Sequence, residues 1–466
     1  MVKFGTGGWR AIIGEDFIKS NLQLLSQGLA NKMIAENTNE FIIGYDRRFL
    51  SEKSAKWMAE VIAGNGIKVY FINRIAPTPM IMFSAKEMKL KYGAAITASH
   101  NPADYNGVKI FTEGGRDASA EVTNEIEKEL EKVKDIKVLD FDKAINNGTI
   151  VIHNPFNDYI DTIINLVDIE AIKNKQLKIL LDPMYGVSKT SLQTILMTAR
   201  CEVELIHDRH DTLFGGRLPS PSAQTLGRLT NDVVEKGYDL GIGTDGDADR
   251  LGIIDEKGNF IHPNDIMALL YYYLLKYKKW SGPVVRNLAT THLLDRIAEG
   301  FGEKCYEVPV GFKHISSKME ETDALIGGES SGGLTIRGHI KGKDGVFAAS
   351  LLVEMICVTN KHLSKLLDEI HEQFGNFEMA EHGFGFDIEE KERLLNILYT
   401  EKQVPEFSFE VDRVSYMDGV KVFFKNGGWI IARFSGTEPL LRVFAEMDSI
   451  EKAEKVCNEM KEFLNI

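Results

Sequence analysis

Residues 238–261 read YDLGIGTDGDADRLGIIDEKGNFI. The run 238–244 is apolar and closes in small residues, as a buried strand does. Asp245-Gly246-Asp247-Ala248-Asp249-Arg250 follows, and 250–261 then alternates around a Glu-Lys-Gly turn, the pattern of a β-hairpin. A buried strand that delivers charge at its C-terminal end is the mark of an α/β sheet, because ligands collect beyond strand ends there.

The same alternation of helical period and short apolar runs extends in both directions. Upstream, 17–36 has apolar residues at helical spacing and 40–46 reads as a strand. Ser51 opens a helix that Gly64-Asn65-Gly66 stops, and 67–72 and 92–97 are further strands. The Glu- and Lys-laced stretch 119–133 predicts a helix with a solvated face. A helix at 155–168 and strands at 177–183 and 201–207 lead into the opening stretch. Downstream come an apolar helix at 265–277, strands near 283–287 and 304–309, and helices at 343–359 and 362–374. Beyond Gly375, short strands and an amphipathic helix at 449–464 predict a smaller α+β domain. The domain boundaries drawn this way are 1–150, 151–258, 259–373 and 374–466, the first three α/β.

Composition narrows the function classes. Hydrophobic residues make up 44% and charged residues 26%, enough apolar mass for several cores and incompatible with a chain disordered throughout. A net charge of −13 argues against nucleic acid or an anionic membrane as partner, while leaving room for a local basic pocket. Cys201, Cys305, Cys357 and Cys457 form no CxxC pair, so neither a zinc ribbon nor a disulfide scaffold is expected. The first residues lack the apolar segment of a signal peptide, and 266–275 is too short and tyrosine-rich to span a bilayer. The expectation is a soluble cytoplasmic protein, monomer or homodimer, with a small-molecule partner.

Four glycine-rich places carry chemistry. In Thr97-Ala98-Ser99-His100-Asn101-Pro102 the Asn-Pro step forces a turn that presents Ser99 at a strand end. The stretch serves either as a turn or as a nucleophile site with His100 and Lys109 as acid/base partners, Tyr105–Lys109 being read as a glycine turn that carries the cation. In the opening stretch, Asp245, Asp247 and Asp249 alternate with small residues and can converge on one hard cation. An EF-hand is excluded, since Arg250 stands where that loop needs glycine and a strand precedes it. Gly327-Gly328-Glu329-Ser330-Ser331-Gly332-Gly333 contains G-x-S-x-G, but the strand-like LTIRG that follows denies it the helix of a hydrolase elbow. A polar loop for a hydroxylated ligand, or a simple turn, remains. Arg433-Phe434-Ser435-Gly436-Thr437-Glu438-Pro439 offers guanidinium, hydroxyls and glycine N–H groups, as an anion cradle or a surface turn, and no P-loop occurs.

In this order the four places resemble the motifs of the α-D-phosphohexomutase superfamily of phosphoglucomutase/phosphomannomutase type. FGTGGWR (4–10), GYDRR (44–48), PTP (77–79), DPMYG (182–186), FGGR (214–217), GFK (311–313) and KDG (343–345) extend the likeness over nearly the whole chain. The resemblance implies four domains around a central cleft, three related α/β domains and a smaller C-terminal one. It implies that Ser99 is carried phosphorylated, that Asp245, Asp247 and Asp249 hold Mg²⁺ beside the Ser99 phosphate, and that Arg10 and His100 lie near it. Lys109 becomes an acid/base candidate. Arg250, Lys313, Glu329, Ser331, His339 and Lys343 are assigned to the substrate, and Arg433, Ser435, Gly436, Thr437 and Arg442 to the non-reacting phosphate. The implied reaction moves a phosphoryl group between the 1- and 6-positions of a hexose phosphate, with hexose 1,6-bisphosphate (glucose 1,6-bisphosphate) as intermediate and activator. In the sugar loop, phosphoglucosamine mutases usually carry Gln before the serine and His after the glycine, and dual glucose/mannose enzymes Met and the same His. Here Ser330 and Gly333 fill those places, and the GFK and KDG stretches look like phosphoglucomutase, so a glucose phosphate is the expected substrate, with a mannose or dual enzyme as the alternative and a phosphoglucosamine mutase behind it.

Overall fold

The computed structural model describes residues 2–5, 7–435 and 440–466. They form two compact units, one built from Met1–Ile266 and Ser331–Lys365, the other from Met267–Ser330 and Leu366–Ile466.

The first unit holds two sheets. Strands β1 (Trp9–Ile12), β2 (Glu40–Tyr45), β3 (Lys68–Ile75), β4 (Tyr92–Ile96), β5 (Tyr105–Thr112), β6 (Arg116–Asp117) and β7 (Ile150–His153) make the first, in the order β1-β5-β4-β2-β3-β7, with β6 on β5. Its centre, β4-β2-β3-β7, is parallel, and β5 and β1 add antiparallel strands on one side. Phe41, Ile43, Ala94 and Ile96 are buried completely because helices cover this sheet, which is why these strands read as continuous apolar runs. The helices Lys19–Ala35 and Ser51–Gly64 supply Leu22, Leu25, Leu29, Met58 and Ile62 to the same core.

The stretch Tyr105–Lys109, expected to turn, is the beginning of β5. Gly107 is there for space: a Cβ on it would lie 2.3 Å from the Trp9 carbonyl of β1. The glycine therefore marks the close approach of a neighbouring strand, and Lys109 is carried on a rigid buried strand.

The second sheet comprises β8 (Lys178–Asp182), β9 (Glu202–Leu205), β10 (Leu240–Thr244), β11 (Leu251–Ile254) and β12 (Phe260–Ile261), ordered β12-β11-β10-β8-β9. β9, β8 and β10 are parallel; β10 and β11 are antiparallel, and so are β11 and β12, the hairpin that the stretch 250–261 predicts. The aspartate loop thus joins two buried antiparallel strands in register, Thr244 opposite Leu251.

The second unit has a parallel core of β14 (Cys305–Val308), β13 (Val284–Asn287) and β15 (Ile326–Gly328), flanked by the helices Leu293–Gly300 and Phe312–Thr322. Leu334–Ile336, after the glycine loop, is β16. The C-terminal strands β17 (Glu378–Gly385), β18 (Val411–Ser415), β19 (Val420–Phe424), β20 (Trp429–Phe434) and β21 (Leu440–Met447) form an antiparallel sheet ordered β17-β21-β20-β19-β18. The helix Ile450–Leu464 buries Ala453, Val456 and Met460 with Val420, Val422, Ile430 and Val443 of that sheet. Among the described residues no single helix is long and apolar enough to cross a membrane.

Candidate active site

β4 and β5 are antiparallel neighbours, so the segment between them returns within a few residues and lifts Ser99 above the sheet. Ser99 is fully buried and left-handed, with φ of +52°, a conformation that a serine adopts only when its surroundings impose it. Its N–H donates to Thr97 Oγ1 at 2.9 Å, and its Oγ donates to Asp245 Oδ2 at 2.8 Å. His100 Nδ1 stands 3.4 Å from the same Oγ. Arg10, on β1 opposite Gly107, donates to Asn101 Oδ1 at 2.6 Å.

The aspartate loop meets the serine loop edge to edge. Gly246 has no room for a side chain, since a Cβ would come 2.8 Å from the Ser99 carbonyl. One oxygen of each Asp247 and Asp249 carboxylate is already held. Lys109 Nζ donates to Asp247 Oδ2 and Asp249 Oδ2, both at 2.6 Å. Thr78 Oγ1 adds a bond to Asp247 Oδ2 at 2.8 Å, and Lys343 Nζ lies 2.9 Å from Asp249 Oδ2. Asp245 Oδ1 accepts the N–H groups of Asp249 and Arg250, both at 3.0 Å.

What remains is informative. Asp247 Oδ1 and Asp249 Oδ1 are buried without a hydrogen-bond partner among the described residues, and the ligand atoms of the three carboxylates lie within 4.8 Å of one another. Buried carboxylate oxygens without donors are costly. Oxygen-only, anionic and convergent, this donor set fits a hard divalent cation.

The charges around it set the protonation states. Burial, reinforced by Asp247 and Asp249, pushes Asp245 well above the usual carboxylate range. For Asp249 burial acts in the same sense, but Lys109, Lys343 and Arg250 outweigh it and hold the group ionised. Burial works against charge on Lys109, yet Asp247 and Asp249 prevail and keep it an ammonium. Arg250, burial, Arg10 and Lys343 push His100 well below its usual value, so it is neutral at pH 7.

Of the predicted residues, Arg10, Ser99, His100, Lys109, the three aspartates, Arg250 and Lys343 are gathered in the first unit around this junction. Arg250 Nε lies 4.0 Å from Asp249 Oδ1. Ser331 is on an exposed turn of the same unit. His339, expected among the substrate contacts, lies in the same unit. Its Nε2 is 2.7 Å from Asp344 Oδ2, and its ring is buried beside Phe347, Phe83 and Tyr159. In the second unit, Glu329 Oε1 accepts from Asn287 Nδ2 and from the N–H of Gly311, each at 3.1 Å, which sets it beside the start of the helix that carries Lys313. Arg433 and Arg442 are paired across β20 and β21, and the Ser435 N–H donates to the Leu440 carbonyl at 2.8 Å. Gly436 and Thr437 lie outside the described residues.

Sequence reasoning missed Asp418 and Arg48. Asp418 Oδ2 accepts the Val310 N–H at 2.9 Å while Oδ1 lies 3.0 Å from Arg433 Nε, so one carboxylate joins the arginine strand to the loop before Gly311. Arg48 reaches the serine loop. Its signals were its place in GYDRR (44–48) and the three charges Asp46-Arg47-Arg48 directly after a buried strand, neither of which names its partners.

Four family models match the chain: phosphoglucomutase/phosphomannomutase alpha/beta/alpha domain I over residues 1–137, domain II over 157–258, domain III over 262–374, and the C-terminal domain over 394–463. A phosphoglucomutase/phosphomannomutase of Thermococcus kodakarensis is 30% identical, covering 97% of this chain and 96% of that one. A phosphoglucosamine/phosphogalactosamine mutase of Sulfurisphaera tokodaii is 28% identical over 99% of this chain and 98% of its own. Among solved structures, a putative phosphomannomutase from Thermus thermophilus superposes with a TM-score of 0.87 at 26% identity, covering 100% of this chain and 99% of that one.

Proposed function

The chain belongs to the phosphoglucomutase/phosphomannomutase family of phosphohexomutases, and from that premise we propose that it interconverts glucose 1-phosphate and glucose 6-phosphate through phospho-Ser99. The observation that carries the reading is the 2.8 Å bond from Ser99 Oγ to Asp245, in a buried triad whose other aspartates each keep an unpartnered oxygen. Ser330 and Gly333 in the sugar loop, with the GFK and KDG stretches, favour glucose. The relatives named phosphoglucosamine mutase favour a second reading in which an amino sugar is the substrate, and the phosphomannomutase names favour a mannose or dual enzyme.

Phosphoryl transfer needs positioning and charge neutralisation more than covalent help. Asp245, Asp247 and Asp249 would hold Mg²⁺, which would supply neutralisation of charge on the phosphoryl oxygens. In the first half-reaction a sugar hydroxyl attacks phospho-Ser99. The bond from phosphorus to Ser99 Oγ breaks as the bond to the sugar oxygen forms, and His100, neutral at pH 7, takes the hydroxyl proton. The product is the hexose 1,6-bisphosphate, which turns end for end and returns its other phosphate to Ser99. Lys109, held as an ammonium, supplies the proton that the departing Ser99 Oγ takes up, and in the return half Lys109 takes that proton back while His100 protonates the departing sugar oxygen. Arg10 screens the phosphoserine. Glu329, Ser331, Lys313, Arg250 and Lys343 read the sugar, and the pair Arg433 and Arg442 with Ser435, Gly436 and Thr437 grips the phosphate that is not reacting. Guanidinium and N–H donors suit that task, because they read a phosphate without demanding one sugar orientation. Glucose 1,6-bisphosphate primes the serine.

A coupled assay with glucose 1-phosphate, mannose 1-phosphate and glucosamine 1-phosphate, each with Mg²⁺ and its 1,6-bisphosphate, tests the reading. Turnover of glucose 1-phosphate, abolished in Ser99→Ala, is expected. Turnover confined to mannose or glucosamine would reassign the sugar, and retained activity in Ser99→Ala would overturn the mechanism.

A further inference from the structure

Arg47 and Arg48 follow β2 and take no part in the chemistry above. Arg48 is 3% exposed, and its donors converge on the backbone of one loop. Nη2 donates to the carbonyls of Ser99 at 2.7 Å and Asn101 at 2.6 Å, and Nη1 to those of Pro102 at 2.7 Å and Tyr105 at 3.0 Å. Asp46 Oδ2 is 3.5 Å from its Nε, and the Phe214 ring lies 4.9 Å from the guanidinium carbon. Asp46 is itself fixed, since its Oδ1 accepts from the Arg48 N–H at 2.9 Å and from Ser51 Oγ at 2.8 Å.

Carbonyls gathered this closely in a buried loop need donors. A guanidinium supplies them in a rigid planar fork, which the single ammonium of a lysine does not reproduce. Ser99 also needs restraint, because a left-handed non-glycine residue is strained and the surroundings must offset that cost. Thr97 holds its N–H, and Arg48 holds its carbonyl. Arg47 faces the other way. Its Nη1 reaches the carbonyls of Tyr185, Asp208 and Arg209 at 3.4, 3.2 and 3.3 Å, and the Val187 N–H donates to the Gly246 carbonyl at 3.2 Å. Two adjacent arginines therefore anchor the serine loop and the loop that backs the aspartate loop.

We infer that Arg48 is a positioning residue for phosphoryl transfer: its fork on four carbonyls holds Ser99 in the left-handed conformation that aims Oγ at the aspartate loop.

The inference rests on Ser99 as the phosphoryl carrier, so the first readout is the mass of the Ser99 peptide from wild-type protein. It is taken as isolated and after exposure to the 1,6-bisphosphates of glucose, mannose and glucosamine. A wild-type protein that never carries a phosphoryl group there overturns the carrier reading and the inference with it. Where wild type carries one, Arg48→Lys is compared with it on the hexose phosphate that turns over. The expected result is kcat lowered about 100-fold, with KM and melting temperature close to wild type, because displacing a reacting atom by an ångström has an effect of that order. In a folded Arg48→Lys, an unchanged kcat overturns the inference while leaving the carrier reading intact. If Arg48→Lys does not fold, Asp46→Asn is read instead, since it leaves every donor on Arg48 and removes only its brace. A fall in kcat at constant KM supports the inference, and an unchanged kcat overturns it.

Discussion

His292 sits at the start of the helix Leu293–Gly300, with its ring 5.8 Å from that of Phe423 and 5.6 Å from that of Trp429. Its Nε2 is 3.1 Å from Lys421 Nζ, which also donates to the Leu288 carbonyl and to Glu307 Oε2, both at 2.7 Å. Arg286 reaches Glu307 at 2.6 Å and Asp295 at 2.7 Å. Burial, then Arg286 and Lys421, push His292 down to about 3. Above pH 6.5 the ring is neutral both folded and unfolded and contributes no pH dependence. Between 6.5 and about 3 only the unfolded chain takes up the proton, so stability falls on acidification by up to about 1.4 kcal/mol per pH unit. Glu307, held down despite burial by His292, Arg286 and Lys421, acts in the same sense once the pH passes below the ordinary glutamate range. Melting temperatures of wild type and His292→Gln between pH 7 and pH 5 check this. The wild type is expected to lose stability along that series more steeply than the variant, and parallel curves would contradict the assignment.

At the scale of elements, the helix Gly345–Thr359 shows how much one cap can hold. Nearly all of it is buried, so its first N–H groups cannot turn to water. Asp344 Oδ1 accepts from Val346 N–H at 2.8 Å and Phe347 N–H at 2.9 Å, while the Tyr159 hydroxyl and His339 bond the same carboxylate. Asp344→Ala removes the cap and strands two buried partners, so a loss of about 2–4 kcal/mol is expected in urea unfolding, and Asp344→Asn should recover part of it. A loss below about 1 kcal/mol would show that water replaces the cap. The sequence displayed the alternating aspartates, the hairpin beyond them and the turn at Asn101-Pro102, because each is a local pattern. It hid what depends on distant backbone. Gly107 looked like a turn because the strand that crowds it is β1, and nothing in Tyr105–Lys109 says so. His339 entered only with the resemblance, and its ring neighbours Phe83 and Tyr159 come from far upstream, where no local pattern points to them. Arg48 stood in the GYDRR stretch, but its part did not show, because its partners are carbonyls, which every residue has.

For the whole molecule, the two units divide the ligands. The candidate cation site lies in the first unit, and the arginine pair of β20 and β21 lies in the second. Hydrogen exchange should report them separately. Mg²⁺ alone is expected to slow exchange at 245–250 and 97–101, and inorganic phosphate alone at 433–435 and 440–442. EDTA should reverse the first effect only and abolish turnover. Protection by Mg²⁺ confined to the second unit would refute the triad as the metal site. The first unit is also discontinuous in the chain, and this bears on its birth. On a ribosome adding about 5–20 residues per second, the aspartate loop emerges several seconds before Lys343, with most of the other unit's α/β half made in between. During that interval the loop lacks Lys343 beside Asp249, the Gly345 N–H on the Ala248 carbonyl and the Gly332 carbonyl that receives the Leu251 N–H. A nascent chain halted after residue 266 therefore carries the carboxylates with part of their neutralising partners missing, and translation itself times when the first unit can close.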